Sequence, residues 1–425
     1  MKTLLQLPAR AIVAVVSLCI LASVLMMGCK DDPPASIYNS NKAFGAQPVI
    51  DTIISSTSTA FANISRLTIK GRNFSTVTAE NIIYFDLTKP TKVYSTTSTQ
   101  IEILAPLLVK DSIAVTMRVV GAEKYSAPKY FSLTAGVMDF GGFGTGEESI
   151  GLACDTAGNV YSSVVGPTGN GLGVRRIFPG GLDTAKETYA PSGGFKNFQN
   201  MKMGPNNVLY GLRLPHTIYT IAAKGSTPAL WVTGPAGSLL AAAYIFDFDF
   251  SKSGADYYIW GGGNDTAIYR IKVSDKSIKT YSFTGLMRSI RVYNNNLYVA
   301  AKVDSTEGVW KFPIDVNNDL GAGSLYFNLS ELPGYGFNGP EADAITFSSD
   351  GDMFLGTSRA DAILLVHSST SYEVYYQGLL QPKPIAFAWG KGPYLYYSRG
   401  GDATHIIIKI NTLKTSAPYY GRGDH

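Results

Sequence analysis

The sequence predicts an all-β protein in which a small β-sandwich precedes a six-bladed β-propeller. Three observations carry that expectation. Of 425 residues, 44 are Gly, 26 Tyr and 20 Phe, and 45% are hydrophobic against 16% charged; aromatic side chains fit a pleated surface, and the balance is that of a chain with a large core. Between Gln47 and Thr134, short alternating segments are separated by turn residues, the spacing of a sandwich. After Thr134 one pattern recurs six times with a mean period of about 47 residues, and about four strands per copy at such a period mark a propeller. Collagen, coiled coil and disordered tail are excluded. A net charge of +4 is too small and dispersed for a nucleic-acid footprint, so no nucleic-acid partner is expected.

The N-terminus sets the compartment. Residues 1–28 carry Lys2 and Arg10, then the apolar run Ala11 to Met27, the plan of a secretory leader. The run is short for a spanning helix, which needs about 20 apolar residues. It ends in Leu25-Met26-Met27-Gly28-Cys29. This string resembles the lipobox of bacterial lipoproteins, with Met26 in place of the usual Leu. The resemblance implies cleavage before Cys29 and acylation of its thiol and new amino group; an uncleaved membrane anchor is the alternative. Two or more acyl chains hold a protein stably at a bilayer. Removal of Lys2 and Arg10 leaves 34 of the 36 basic residues against 32 acidic ones, a near-neutral chain. Cys154 is then the one remaining thiol, so no intramolecular disulfide is available. Lys30-Asp31-Asp32 resembles the acidic export signal of Bacteroidota lipoproteins, which implies a lipid-anchored protein on the outer membrane, facing the cell exterior. Residues 29–46 form the lipidated N-terminus and a tether, rich in Pro, Ser, Asn and Ala and therefore flexible.

Residues 47–134 supply the sandwich. In Leu67-Thr68-Ile69-Lys70-Gly71-Arg72-Asn73-Phe74, Leu67 and Ile69 point to one face, Gly71 is expected to supply a backbone conformation other residues resist, and Phe74 returns to the core. The string resembles the signature of IPT/TIG domains, an immunoglobulin-like family, as do Pro48-Val49-Ile50, Asn81-Ile82-Ile83-Tyr84-Phe85 and Ile101-Glu102-Ile103-Leu104-Ala105-Pro106. The resemblance implies an Ig-like β-sandwich. With no His, Cys or Trp in the segment, a spacer role is expected; docking of a partner on an exposed sheet edge is the alternative.

Residues 135–425 hold the six copies. Each has a turn with Gly, Asn or Asp, an aromatic-rich strand, a polar loop, and a strand closing on apolar residues about an often basic one. The aromatic anchors are Tyr161, Tyr210, Tyr258, Tyr298, Phe354 and Tyr396. A four-stranded blade cannot bury both faces alone, so six must close a ring. The pattern resembles NHL-type propellers. Either Val137–Phe140 or Thr415–Tyr420 completes the last blade; the sequence leaves both open.

In a propeller, the loops joining second to third strands open on the face where each blade connects to the next. Those loops carry Arg213 and His216, Trp260 with Asn264 and Asp265, Lys302 with Asp304, Arg359 with Asp361, and Arg399 with Asp402 and His405. Tyr335 and Phe337 stand in a Gly-rich blade connection expected to reach the same face. Polar groups beside an aromatic ring suit a glycan or peptide ligand, with Trp260 as the stacking ring; Asp and Asn that cap turns and ordinary surface ion pairs are the plainer reading. Trp310 is expected in a blade core, and Asp247-Phe248-Asp249 on an inner strand lining a polar channel.

Catalytic and metal patterns are poor. The four histidines show no metal-ligand spacing. Asp315-Val316-Asn317-Asn318-Asp319-Leu320-Gly321 resembles a calcium loop, but its Gly comes one place late and Tyr326 stands where a bidentate Glu is needed. There is no Gly-x-Ser-x-Gly elbow. No catalytic residue, metal or cofactor is expected. Bacteroidota proteins that resemble this layout often accompany SusC/SusD-type importers. The resemblance implies ligand capture, most of all of a glycan, as an accessory to such an importer rather than catalysis. The alternatives are a lyase- or lactonase-like propeller enzyme, which would hold a divalent cation, and a structural subunit of an outer-membrane complex.

Overall fold

The computed structural model describes residues 44–179, 186–192, 197–234, 238, 240–241, 243–333, 341–400 and 406–423. The leader, Cys29 and all but the end of the tether lie outside them. The first unit contains β1 (Val49–Ser55), β2 (Arg66–Arg72), β3 (Asn81–Phe85), β4 (Val93–Thr96), β5 (Gln100–Leu104), β6 (Lys110–Val119) and β7 (Lys129–Leu133). They form two antiparallel sheets, β1-β2-β5-β4 and β3-β6-β7. Alternate residues point inward, as a pleat requires: Leu67, Ile69, Ile101 and Ile103 from one sheet meet Ile83, Phe85, Ile113, Val115 and Met117 from the other in one buried cluster, with Phe74. Gly71 is needed for space rather than for an unusual backbone angle: a Cβ there would stand 1.9 Å from the Val49 carbonyl oxygen and 2.5 Å from the Phe74 ring.

Only residues 134–136 separate β7 from β8 (Val137–Phe140). The first blade is β9 (Glu148–Cys154), β10 (Val160–Val165), β11 (Gly171–Ile177) and β12 (Lys186–Ala190). The second is β13 (Asn200–Met203), β14 (Leu209–Arg213), β15 (Thr217–Ile221) and β16 (Ala229–Val232). Then come β17 (Ile245–Ser253), β18 (Asp256–Lys272), β19 (Ile278–Tyr293), β20 (Asn296–Val303), β21 (Thr306–Pro313) and β22 (Ser324–Asn328), hydrogen-bonded as one six-stranded sheet. The sheet is two blades. Its first half pairs β17 with the start of β18, whose end folds back so that the Val273 N–H donates to the Tyr257 carbonyl at 2.9 Å. β19 is the outer strand of the third blade as far as Leu286 and the inner strand of the fourth beyond it. The fifth blade is β23 (Ala342–Phe347), β24 (Met353–Thr357), β25 (Ile363–Ser368) and β26 (Ser371–Val374). The sixth is β27 (Pro384–Trp389), β28 (Tyr394–Arg399) and β29 (Ile407–Asn411), completed by β8.

That last pairing closes the ring. Ile407, Ile408, Lys409 and Ile410 stand opposite Phe140, Asp139, Met138 and Val137, so the strand that leaves the sandwich seals the blade made last. Thr415–Tyr420 instead crosses beneath the ring: Ser349 N–H donates to the Thr415 carbonyl and Ala417 N–H to the Phe347 carbonyl. Tyr419 then enters the axis, and Arg422 Nη1 donates to the Trp389 carbonyl at 2.7 Å. A cavity of about 20 Å³ remains between this segment and the inner strands, room for about one water.

The blades pack through aromatic contacts. Tyr210 meets Phe250 of the next blade edge-on, Tyr293 stacks on Phe347 at 4.5 Å, and Phe354 meets Trp389 edge-on. Phe140, 2% exposed, packs on Tyr396 at 4.8 Å and on Leu152, Val160 and Ile407, across the seam between the last and first blades. Phe140→Ala leaves a cavity at the closure and is expected to cost about 3–5 kcal/mol, read as a lower midpoint in urea unfolding of the full chain.

Candidate functional site

The site is built by a repeated irregularity. Where four inner strands begin, the register against the neighbouring strand slips between Ile245 and Asp247, Met287 and Ser289, Ala342 and Ala344, and Pro384 and Ala386. A β-bulge adds one residue and re-aims local side chains. The added residues are Phe246, Arg288, Asp343 and Ile385, at corresponding places around one rim. β9 carries a similar slip between Ser149 and Leu152.

Just inside the rim, side chains join blade to blade. Ser398 Oγ donates to the Ser149 carbonyl, Phe198 N–H to Ser163 Oγ, Asn200 Nδ2 to Asp247 Oδ1, and Ser289 Oγ to Asp247 Oδ2. Ile345 N–H donates to Ser289 Oγ. Asp247 also pairs with Lys202 at 3.3 Å, and Asp249 with Arg291 at 3.1 Å. Asp247 and Asp249, 1% and 0% exposed, are therefore buried members of the network between inner strands rather than lining residues of the axial cavity. Burial raises the Asp249 carboxyl, with Arg291 opposing; a buried polar network of this kind holds only when its members are paired.

On the rim of the fourth to sixth blades, charges run in a ladder. Arg288 donates to Glu307 at 2.6 Å and to Glu341 at 3.2 Å; Lys383 reaches Glu341 at 2.5 Å and Asp343 at 3.3 Å. The Ala342 N–H also donates to Glu307. The Lys383 ammonium holds Glu341 below the usual carboxylate range, while burial raises Glu307. Burial pushes the Asp343 carboxyl up to about 7 against the pull of Lys383. Its side chain is 4% exposed, and its Oδ2 receives no hydrogen bond.

Beside the ladder on the same rim stands an aromatic pair. Tyr244, 41% exposed, meets the half-buried Phe246 edge-on at 5.1 Å. Phe246 and Arg288 are the chain neighbours of Asp247 and Ser289, which bond to each other, so aromatic and charged parts meet at the boundary of the third and fourth blades. Gly263 makes this possible: a Cβ there would lie 1.8 Å from the Tyr244 carbonyl oxygen.

The residues expected from sequence fall into distinct places. Trp260 is not a stacking surface: fully buried, it donates from Nε1 to Ser251 Oγ at 2.8 Å and packs on Tyr281, because β18 continues through what reads as a loop entrance. His216 and Asp265 hold the segment that displays Tyr244: His216 Nδ1 bonds the Ala243 carbonyl at 2.9 Å, and Asp265 accepts from the Tyr244 N–H at 3.3 Å and the Tyr269 hydroxyl at 2.5 Å. Arg399 Nε donates to the Pro382 carbonyl, beside Lys383. The carbonyl of Asp361 accepts from Thr357 Oγ1, which also accepts from the Arg359 N–H. Arg213, Asn264 and Asp304 are exposed, and Lys302 is half-buried in β20. Tyr335, Phe337, Asp402 and His405 lie outside the described residues. The rim residues Tyr244, Phe246, Arg288, Glu307, Glu341, Asp343 and Lys383 were not legible as a set; the available signal was charge inside apolar strand segments, as in Glu341-Ala342-Asp343-Ala344-Ile345.

Trp310 lies in a blade core, 9% exposed. The calcium-like loop is braced by protein cations: Asp319 receives Arg270 at 2.6 Å, Lys279 at 2.8 Å and the Tyr281 hydroxyl at 2.5 Å, and Lys279 with Tyr281 pulls its carboxyl down to about 2. Among the described residues, no group of three or more His, Cys, Asp or Glu is placed to hold a metal ion. Cys154 is a buried free thiol that burial pushes up to about 12, far from the thiolate form that reacts.

Residues 48–133 match the IPT/TIG domain family. No curated protein matches the chain. Among solved structures, a Bacteroides thetaiotaomicron structural genomics protein of unknown function is 14% identical, with TM-score 0.49, over 88% of this chain and 99% of that one. An auxiliary nutrient binding protein from the same species is 10% identical, with TM-score 0.46, over 86% and 97%. Virginiamycin B lyase from Staphylococcus aureus is 16% identical, with TM-score 0.42, over 72% and 93%.

Asp343 gives the rim a pH signature. Its folded value of about 7 lies above an unfolded value of about 3.9, so the fold holds a proton that the unfolded chain has lost. Its contribution to stability is therefore lost as pH rises from about 4 to about 7. Glu307 acts with the same sign. The melting temperature of the parent, relative to Asp343→Asn, is expected to fall across that window; a constant difference would refute the shift.

Proposed function

We propose that the rim of the propeller captures an extracellular polar ligand, most of all a glycan, and that the protein is a non-catalytic, surface-exposed lipoprotein serving a SusC/SusD-type importer. The observation that carries the binding role is the pairing on one rim of the Tyr244–Phe246 aromatic pair with the Arg288–Glu307–Glu341–Lys383–Asp343 ladder. Ring faces stack on the apolar faces of sugars, and fixed charged groups give directional hydrogen bonds to hydroxyls. The leader, Cys29 and Lys30-Asp31-Asp32 support the location, and the importer partnership follows from the resemblance in layout.

Affinity electrophoresis through gels containing a panel of polysaccharides tests the reading. Retardation by at least one is expected, and Tyr244→Ala with Phe246→Ala is expected to weaken it about tenfold or more, the loss of roughly 1.4 kcal/mol of stacking. A well-folded protein retarded by none would count against capture, and turnover of any bound ligand would overturn the non-catalytic role. Release of the protein from intact cells by surface proteolysis, and its co-purification with an importer, check location and partner.

A further inference from the structure

The short join at residues 134–136 leaves the sandwich standing beside the propeller rather than fused to it. The two units touch close to the join, where a Cβ on Gly136 would stand 2.3 Å from Ile64 Cδ1 and 3.3 Å from Phe61 Cβ. Beside this join lies a cleft of about 650 Å³, within the range of roughly 300–1,000 Å³ for small-ligand sites, which favour domain boundaries. Its walls are two edge strands with their adjoining loops, β4 of the sandwich and β26 of the fifth blade.

We propose that this cleft is a second ligand site, one that takes a stretch of a neutral oligosaccharide chain. The propeller wall offers Tyr376, whose ring is fixed in place: it stacks on Tyr375 at 4.0 Å and 19°. The two phenols donate into the end of the sixth blade, Tyr376 to the Asn411 carbonyl and Tyr375 to the Thr412 carbonyl, both at 2.8 Å. With the hydroxyls so used, the ring itself is what Tyr376 presents to the cleft it lines. Its backbone sits at φ +44°, a conformation a bulky residue rarely adopts and one that the surrounding contacts must maintain.

The sandwich wall answers with Tyr94, over whose ring the Arg66 guanidinium lies 4.0 Å and the Lys92 ammonium 4.8 Å from the centroid. Planar and charged groups complete the lining: the amides of Asn63 and Gln377, the Glu373 carboxylate and the Lys92 ammonium. Rings on both walls with amides between them suit sugar faces and vicinal hydroxyls. Lys92 and Glu373 bring opposite charges to opposite walls, which favours a neutral chain over an acidic or basic one. The site stands apart from the rim, so the two readings fail separately.

The test is calorimetric titration of the mature chain with cellohexaose, xylohexaose and mannohexaose. At least one is expected to bind. Tyr94→Ala and Gln377→Ala should each weaken that binding by about tenfold, and Tyr94→Phe should retain it. Each variant is matched to the parent by its thermal melt, and neither Tyr94 nor Gln377 lies in a buried core cluster. Binding lost in Tyr244→Ala and kept in both cleft variants overturns the cleft while sparing the rim. No binding of any hexaose also overturns it, with the rim still judged on polysaccharide gels. Capture of an extended peptide in place of the sugars, dependent on Tyr94, would overturn the ligand class, since β4 and β26 both carry strand edges that a peptide could extend.

Discussion

Four residue pairs, from Ile407 opposite Phe140 to Ile410 opposite Val137, hold the two ends of the ring together, and the rest of the structure depends on them. A blade buries its faces only against neighbours on both sides. Without β8 the sixth sheet has three strands, and the seam that Phe140 fills between Tyr396, Leu152 and Ile407 opens to water. Because β8 follows the sandwich after three residues, closure also fixes where the sandwich stands. The cleft between β4 and β26 is thus a by-product of how the ring is sealed.

The same geometry explains why polar groups gather at the start of the inner strands. Backbones converge toward the axis there, and bulges at Phe246, Arg288, Asp343 and Ile385 turn added residues onto the rim. Beneath them, Asp247 and Asp249 sit where an apolar residue would leave backbone N–H groups unpaired: the N–H groups of Ile290 and Val292 donate to these two carboxylates. The charges are costly to bury, and they persist as a closed network in which each carboxylate meets a cation and an N–H. The rim above is divided, aromatic on the blade connection that reaches Tyr244 and ionic from Arg288 round to Lys383. A divided surface of that kind matches the proposed ligand, which has both apolar faces and hydroxyl edges.

Much of the fold was legible because its signals are periodic. Five of the six aromatic anchors, Tyr161, Tyr210, Tyr298, Phe354 and Tyr396, are buried at 0–5%, Tyr258 being half-buried, and Leu67, Ile69, Ile101 and Ile103 alternate inward as a pleat demands. The rim was legible only in part. Trp260-Gly261-Gly262-Gly263 reads as a loop because glycine clusters usually mark turns, whereas here the glycines make room for neighbours inside a strand: a Cβ on Gly262 would meet Met287 Sδ at 2.6 Å. Reading that stretch as a loop placed the stacking ring on a core tryptophan and passed over the exposed Tyr244 and half-buried Phe246. His216 and Asp265 were singled out as ligand contacts, and they support the backbone that carries those rings.

The sequence by itself determined what local periodicity encodes: all-β architecture, the alternation of the sandwich and the six repeats. Which strand seals the ring, which residues the bulges turn onto the rim, and which tyrosines line the interdomain cleft were decided only by tertiary structure. The physical reason is distance along the chain. Lys409 opposite Met138, Ser289 beside Asp247, and Tyr94 facing the cleft that Tyr376 lines are neighbours created by closure of the ring, and no period in the sequence encodes the angle at which a chain returns to its own beginning.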